Sequence, residues 1–250
     1  MKAIFPYKAS HNGSGDKYLL HQFELCLVLI IGEFMHKVEV NVGVNVTEAN
    51  RREAEENREH LDEHGVKAVD ILGAVGSGKT MLVEKLTPVL KKRGLKVGAI
   101  VGDCYGDDDY QRIHALNIPT QNLNTGTECH LDAHMVHHAL HKLPLDDINF
   151  LFIENVGNMV CPTDFPVGSH KRVVIVSVTE GDDVVNKHPA MFRECEIGII
   201  NKVDLAEAVG ASVERMEKDM KRHNSNIKIL KMNLKKGVGV EELADLLLKN

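Results

Sequence analysis

From Lys67 onward the chain alternates short, continuous apolar runs with longer amphipathic stretches. The runs "KAVDILG" (from Lys67), "KVGAIVG" (from Lys96), "NFLFIEN" (from Asn149), "RVVIVSV" (from Arg172), "EIGIINK" (from Glu196) and "IKILKMN" (from Ile227) read as strands. Their unbroken apolar character suits strands buried on both faces, as in a parallel sheet. Between them, Lys79 to Lys92, Cys129 to His141, Glu207 to Arg222 and Val240 to Lys249 carry helical spacing. This alternation predicts an α/β fold: a doubly wound, mostly parallel sheet with helices on both faces. Upstream, "TEANRREAEENREHLDEHG" begins on the capping residue Thr47 and stops at Gly65, a polar helix ahead of the core. The expected organisation is an extension over residues 1–34, an N-terminal segment and helix over 35–66, and the α/β domain over 67–250.

Composition narrows the partners. A formal net charge of -6 gives no general attraction to nucleic acid or anionic membranes, and neither is expected as a partner. The apolar run "LCLVLII" (Leu25 to Ile31) is too short to span a bilayer. Glu24 abuts it and no small-x-small cleavage site follows, so the extension reads as an upstream start or a cloning remnant rather than a signal peptide. The five cysteines form no C-x-x-C pair and point to cytoplasmic thiols or metal ligands rather than a disulfide framework.

"GAVGSGKT", Gly73 to Thr80, fills every slot of the G-x-x-x-x-G-K-S/T phosphate loop, with a strand before it and a helix after it. Gly73, Gly76 and Gly78 permit turns whose N–H groups, with that of Ser77, converge on phosphate oxygens. Lys79 is expected on the β- and γ-phosphates and the Thr80 hydroxyl on Mg²⁺. "NKVD" matches the guanine loop, with Asn201, Lys202 and Asp204 at a strand end. The Asp204 carboxylate pairs with guanine N–H groups and would stay unpaired against adenine, so the expected substrate is GTP. Asp103, after the second strand, is expected to hold magnesium directly or through water. In "IENVGN", Glu154 and Gly157 occupy positions where many GTPases carry D-x-x-G, and Gly157 is read as the γ-phosphate sensor. The run Asp107 to Asp109 reads as capping or solvated, with Asp109 in a mobile switch as the alternative.

"TGTECHLDAHMVHHALH", residues 125–141, packs five histidines beside a cysteine. His130, His134 and His138, spaced by four, are expected on one helix face. Cys129, His130 and Cys161 offer two thiolates and an imidazole, a set suited to zinc or nickel but one short of a tetrahedron. The fourth position is left to His134, water or a second chain. His137 and His141 read as a solvated helix face.

Together, "GAVGSGKT", "ECHLDAH", "IENVGNMVCP" and "NKVDLAEAVGA" resemble the HypB family, GTPases that help insert nickel into nickel–iron hydrogenases. The resemblance runs from about the Thr47 helix to the C-terminus. It implies a SIMIBI-type P-loop GTPase fold that dimerises around nucleotide, with metal ligands at Cys129, His130 and Cys161. It also implies a HypA-like nickel chaperone and the hydrogenase large subunit as partners. The N-terminal cysteine motif and histidine-rich tract of many bacterial relatives do not appear here. UreG, of urease maturation, is the nearest alternative. Its Cys-Pro-His motif is replaced here by Cys161-Pro162-Thr163, and the separate Cys129–His130 pair favours HypB. A storage or sensor module with structural GTP is the alternative outside enzymes. Turnover is expected to be slow, since only Arg172 and Arg193 stand as candidates for an in-chain arginine finger.

Overall fold

The computed structural model describes residues 46–249; the extension over 1–34, with its apolar run, and the segment 35–45 lie outside them. The strands are β1 (Lys67–Leu72), β2 (Val97–Asp103), β3 (Thr120–Asn124), β4 (Phe150–Glu154), β5 (Lys171–Ser177), β6 (Ile197–Asn201) and β7 (Lys228–Lys231). They form one sheet in the order β3-β2-β4-β1-β5-β6-β7, and every pairing is parallel. Strand order reverses around β1, so a crevice opens beyond the carboxyl ends of β1 and its neighbours, where ligands of such sheets bind.

The helices are α1 (residues 46–63 as described), α2 (Lys79–Lys92), α3 (Asp108–His114), α4 (Ala133–Leu140), α5 (Val184–Lys187), α6 (Pro189–Arg193), α7 (Ala206–Val209), α8 (Val213–His223) and α9 (Val240–Leu248). Successive residues of the strands serve opposite layers, as the pleat requires. Val69, Ile71, Phe150 and Phe152 pack with Leu86 of α2, Ile113 of α3 and Leu247 of α9. Ala68, Leu151 and Ile153 face Leu61 of α1 and Val136 of α4. Leu72, Val174 and Val176 meet α5, α6 and α8 through Val185, Phe192 and Met216.

The apolar runs locate six strands to within a residue or two at their ends. The seventh, β3, was not expected: "TQNLN" is a half-exposed edge strand pairing only with β2, so it carries no buried apolar run. The stretch Glu207 to Arg222 divides into α7 and α8, because Gly210 adopts a left-handed φ of 66° and Ser212 caps α8 by accepting from Arg215 N. The stretch from Cys129 is helical only from Ala133, where the Asp132 side chain accepts from Met135 N at 2.7 Å. Among the described residues, no helix is long and apolar enough to cross a membrane.

Helix α1 is more than a polar leader. Its buried Asn50 donates to Pro166 O and accepts from Ala133 N. Asn57, fully buried, donates to Ala133 O at 2.8 Å and Val167 O at 3.3 Å. These amides tie α1 to the first turn of α4 and to the loop before β5. Replacing Asn57 with Ala removes both of its buried donor bonds and its contact with His137, with an expected loss of about 2–4 kcal/mol in urea unfolding. A loss within experimental error would show that α1 is not anchored this way.

Candidate functional site

A cavity of about 570 Å³ lies at the carboxyl ends of the strands. Its wall includes Gly76, Gly78, Lys79 and Thr80 of the loop after β1, Asp103 after β2, Glu154 and Gly157 after β4, and Asn201, Lys202 and Asp204 after β6. The loop folds as its glycines dictate: Gly73, Gly76 and Gly78 all have positive φ. A Cβ on Gly73 would lie 2.3 Å from Ile175 O, and one on Gly78 would lie 2.5 Å from Asn201 Nδ2. Only glycine lets the phosphate loop press against β5 and β6 this closely. Lys79 is nearly buried and its Nζ donates to the Gly73 and Ala74 carbonyls, both at 3.2 Å. The Asn201 amide donates to Ser77 O at 2.9 Å, while Lys202 Nζ donates to Gly76 O at 2.8 Å. The two loops that the sequence assigned to phosphate and guanine are thus bonded to one another. Asp204 stands exposed at the rim.

Thr80 Oγ1 donates to Glu154 Oε1 at 2.7 Å, and Glu154 Oε2 is buried with no partner. Burial raises the Glu154 pKa to about 7, against the opposing pull of the Thr80 bond and Lys79. A buried, orphaned carboxylate oxygen beside a threonine hydroxyl is a donor set that fits a hard divalent cation. Asp103 shares the cavity, with Oδ1 accepting from Cys104 N at 2.6 Å.

The second cluster is made of Cys129, His130 and Cys161, whose ligand atoms all lie within 4.8 Å of one another. The two Sγ atoms are 2.7 Å apart, and contact with Cys161 raises the Cys129 pKa, which favours the protonated Cys129 thiol until a cation replaces the proton. His130 rests on the Phe165 ring at 4.0 Å between centroids, and burial lowers its pKa, favouring the neutral form that coordinates metal. Cys104, Cys129, Cys161 and Cys195 are free thiols; Cys26 lies outside the described residues.

Two expectations are corrected here. His130 precedes α4 and does not share a face with His134 and His138, because Asp132 starts the helix after it. His134 does not join the thiols: its Nδ1 meets Glu53 at 2.7 Å and its Nε2 meets His138 at 3.1 Å. Neither arginine stands free as a finger at the cavity. Arg172 is held by Asp70 and the Pro162 carbonyl, and Arg193 lines a different pocket with Lys171 and Lys228. Arg112 of α3, which sequence reasoning passed over, lines the nucleotide cavity beside Asp109 and pairs with Glu84 and Asp109.

Three further residues join the clusters in roles that the sequence did not assign to them. Asn158 forms an antiparallel bridge with Gly73 at the root of the phosphate loop, and its amide donates to Cys129 O at 3.1 Å. Asn155, fully buried, accepts from Leu131 N at 3.0 Å and donates to Asp70 Oδ1 at 3.3 Å. Arg172 Nε donates to Asp70 Oδ2 at 3.4 Å, while its other nitrogen donates to Pro162 O at 2.6 Å, next to Cys161. The loops carrying Cys129 and Cys161 therefore hang from one buried carboxylate, Asp70.

Residues 67–231 match the CobW/HypB/UreG nucleotide-binding domain family. Over 217 residues the chain is 46% identical to a probable hydrogenase maturation factor HypB of Methanocaldococcus jannaschii, covering 86% of this chain and 98% of that protein. The chain belongs to the HypB family. Two solved HypB structures share its fold. That of Archaeoglobus fulgidus is 52% identical with a TM-score of 0.75, covering 80% of this chain and 97% of its own. That of Helicobacter pylori HypB in complex with nickel is 32% identical with a TM-score of 0.75, covering 80% and 94%. The nucleotide-binding and hydrogenase-maturation character of HypB proteins is consistent with a cavity and a thiol cluster tied together by Asn158.

Glu154 gives a pH test on the protein free of nucleotide and magnesium. Its folded pKa is raised, so the fold favours the protonated acid. That stability is full below about 4.5 and is lost as pH rises to about 7. Relative to Glu154→Gln, wild type should lose about 2–3 kcal/mol across this window, read by denaturant unfolding with EDTA present. Parallel pH profiles for the two proteins would mean that Glu154 is not buried as a free acid.

Proposed function

We propose that this chain is a cytoplasmic GTPase that binds nickel and releases it for hydrogenase maturation under control of its nucleotide. The observation that carries the reading is Asn158, which touches the phosphate loop at Gly73 and the metal loop at Cys129. One short segment, residues 154–161, holds the Glu154 carboxylate, Gly157 and the Cys161 thiol. A change at one end is felt at the other.

In the proposed cycle Asp204 accepts the N–H groups of guanine, and Asn201 and Lys202 hold that loop against the phosphate loop. Lys79 exchanges the carbonyls of Gly73 and Ala74 for phosphate oxygens, a substitution of strong acceptors for weak ones. Thr80, with Glu154 and Asp103, would hold Mg²⁺, which when bound neutralises phosphate charge. Gly157 packs so tightly on Val75 that a Cβ there would fall 2.4 Å from Val75 Cγ2, which supports its role as the γ-phosphate sensor. Movement of Gly157 carries Cys161 with it and so alters the ligand set of Cys129, His130 and Cys161, where nickel or zinc binds as cargo. Turnover is slow in a lone chain, because the cavity-lining Arg112 is already engaged by two carboxylates.

The surface around both sites supports a GTP-dependent homodimer. Val75 is 82% exposed, Tyr105 76% and Val160 62%, large apolar side chains at the phosphate loop, the end of β2 and the thiol loop. Burying such residues against a second copy would also bring two thiol sites together and supply the missing ligand. A HypA-like chaperone as nickel source and the hydrogenase large subunit as recipient complete the proposal.

The test is nickel titration with GTPγS or GDP present, on wild type, Cys161→Ala and Asn158→Ala, with oligomeric state read alongside. Nickel affinity should differ between nucleotides by about 5–150-fold in wild type, the usual range of such coupling. Cys161→Ala should abolish the thiol site. Asn158→Ala should leave nickel binding in place but shrink the nucleotide dependence. Equal nickel affinity in both nucleotide states would overturn the gating. For the nucleotide itself, Asp204→Ala should weaken GTP by about a hundredfold or more while leaving the weaker ATP binding alone. Equal losses for both nucleotides would remove Asp204 from base recognition.

A further inference from the structure

Away from the thiols, α1 and α4 bring four imidazoles into a row. His137 Nε2 and His141 Nε2 stand 3.1 Å apart, one turn from each other at the end of α4. The His60 ring lies beside His141 at 5.0 Å between centroids, and His64 follows at 4.9 Å from His60. His60 and His137 are half-buried, while His141 is exposed.

Asn57 fixes which nitrogen of the neutral His137 ring carries the proton. Its amide nitrogen donates to the carbonyls of Ala133 and Val167, so its Oδ1 is the atom that faces His137 Nδ1 at 3.1 Å. An oxygen can only accept, so the His137 proton sits on Nδ1 and the lone pair of Nε2 points toward His141. Metal-ligating histidines are held in this way, with one ring nitrogen pinned by a protein acceptor and the other presented to the ion. Two imidazole nitrogens about 2.0–2.1 Å from one ion stand about 2.9 Å apart at a right angle and about 3.4 Å apart at the tetrahedral angle. The observed spacing falls between these limits.

We infer that His137 and His141 form a chelating clamp for a divalent first-row cation such as nickel or zinc, with His60 as the third donor. The clamp is separate from the Cys129, His130 and Cys161 cluster. Without metal, the His141 Nε2 proton is shared with His137 Nε2; on binding it passes to His141 Nδ1, and both Nε2 lone pairs face the ion. His60 joins by rotation of its ring, and water fills the remaining positions. Imidazoles alone suit nickel, zinc or cupric ion, and none of these residues lines the nucleotide cavity or belongs to the segment around Gly157. Occupancy of the clamp is therefore independent of nucleotide, unlike that proposed for the thiol site.

The test is calorimetric nickel titration of the full chain carrying Cys129→Ser and Cys161→Ser. This variant should still bind nickel, without a thiolate charge-transfer band and with the same affinity in GTPγS and GDP. Adding His137→Gln and His141→Gln should weaken that binding by about tenfold or more, as loss of ligands does, with the circular dichroism spectrum unchanged. His134→Gln with His138→Gln is the comparison pair: its Nε2 atoms are also 3.1 Å apart and Glu53 holds His134 Nδ1, but both rings are exposed, whereas His137 is half-buried and His141 has the His60 ring beside it, so the effect should be smaller. Absence of nickel binding in the Cys129→Ser, Cys161→Ser protein, or binding that ignores His137 and His141, overturns the clamp. So does binding that follows His134 and His138 instead. Each of these failures would leave the thiol site and its nucleotide gating untouched.

Discussion

Everything proposed for the metal site depends on one carboxylate that water cannot reach. Asp70 is fully buried on the central strand, with Arg172 in register beside it on β5. Burial pushes its pKa up while Arg172 and Asn155 pull it back. A charge in that position is tolerated only with its partners in place, and breaking such a pair typically costs about 3–5 kcal/mol. The constraint has a structural consequence. Arg172 and Asn155, held by Asp70, reach out to Pro162 O and Leu131 N, and so fix the two loops that present thiols. The ligand cluster is rigid at its base although its tips are half exposed.

Rigidity at the base and movement at the tip are the ingredients of a switch. The segment after β4 is pinned at Asn155 and passes Gly157 against the phosphate loop before it reaches Cys161. In the proposed gating, a displacement at Gly157 would have little room to be absorbed between Asn155 and Pro162 and would pass along the backbone to Cys161. Two-state elements of this kind couple sites when each ligand favours one arrangement. At the cavity Lys79 bonds to the Gly73 and Ala74 carbonyls, Thr80 to Glu154, and Arg112 to Glu84 and Asp109, while Glu154 Oε2 is buried without a partner.

The candidate nucleotide loops were legible in the chain because each part is local. The phosphate loop is one continuous stretch in which glycine spacing, lysine and threonine act within a single turn, and the guanine loop is four residues long. The candidate metal triad was proposed only because Cys129–His130 and Cys161 sit in recognisable surroundings; no spacing rule links residues 32 positions apart. Errors followed the same logic. Periodicity carried α4 back to Cys129 because histidine spacing mimicked a helix face, whereas the Asp132 cap sets its true start. The polar edge strand β3 gave no apolar signal, since only one of its sides is paired.

By itself, then, the sequence determined most of the element types, the parallel sheet and the candidate residues of each loop, because these follow from neighbours along the chain. Only the tertiary structure decided which loops meet. Asn158 between the phosphate loop and Cys129, Asn155 under Leu131, Arg172 between Asp70 and Pro162, and Asn57 beneath His137 all act across long sequence separations. Their side chains are ordinary amides and a guanidinium, and the motifs around Asn155, Asn158 and Arg172 do not show which backbone groups they reach. Their roles arise because folding buries them beside unpaired backbone groups and charges, where a hydrogen bond left unmade is costly. That cost exists only once water has been excluded, and the linear chain does not show where that happens.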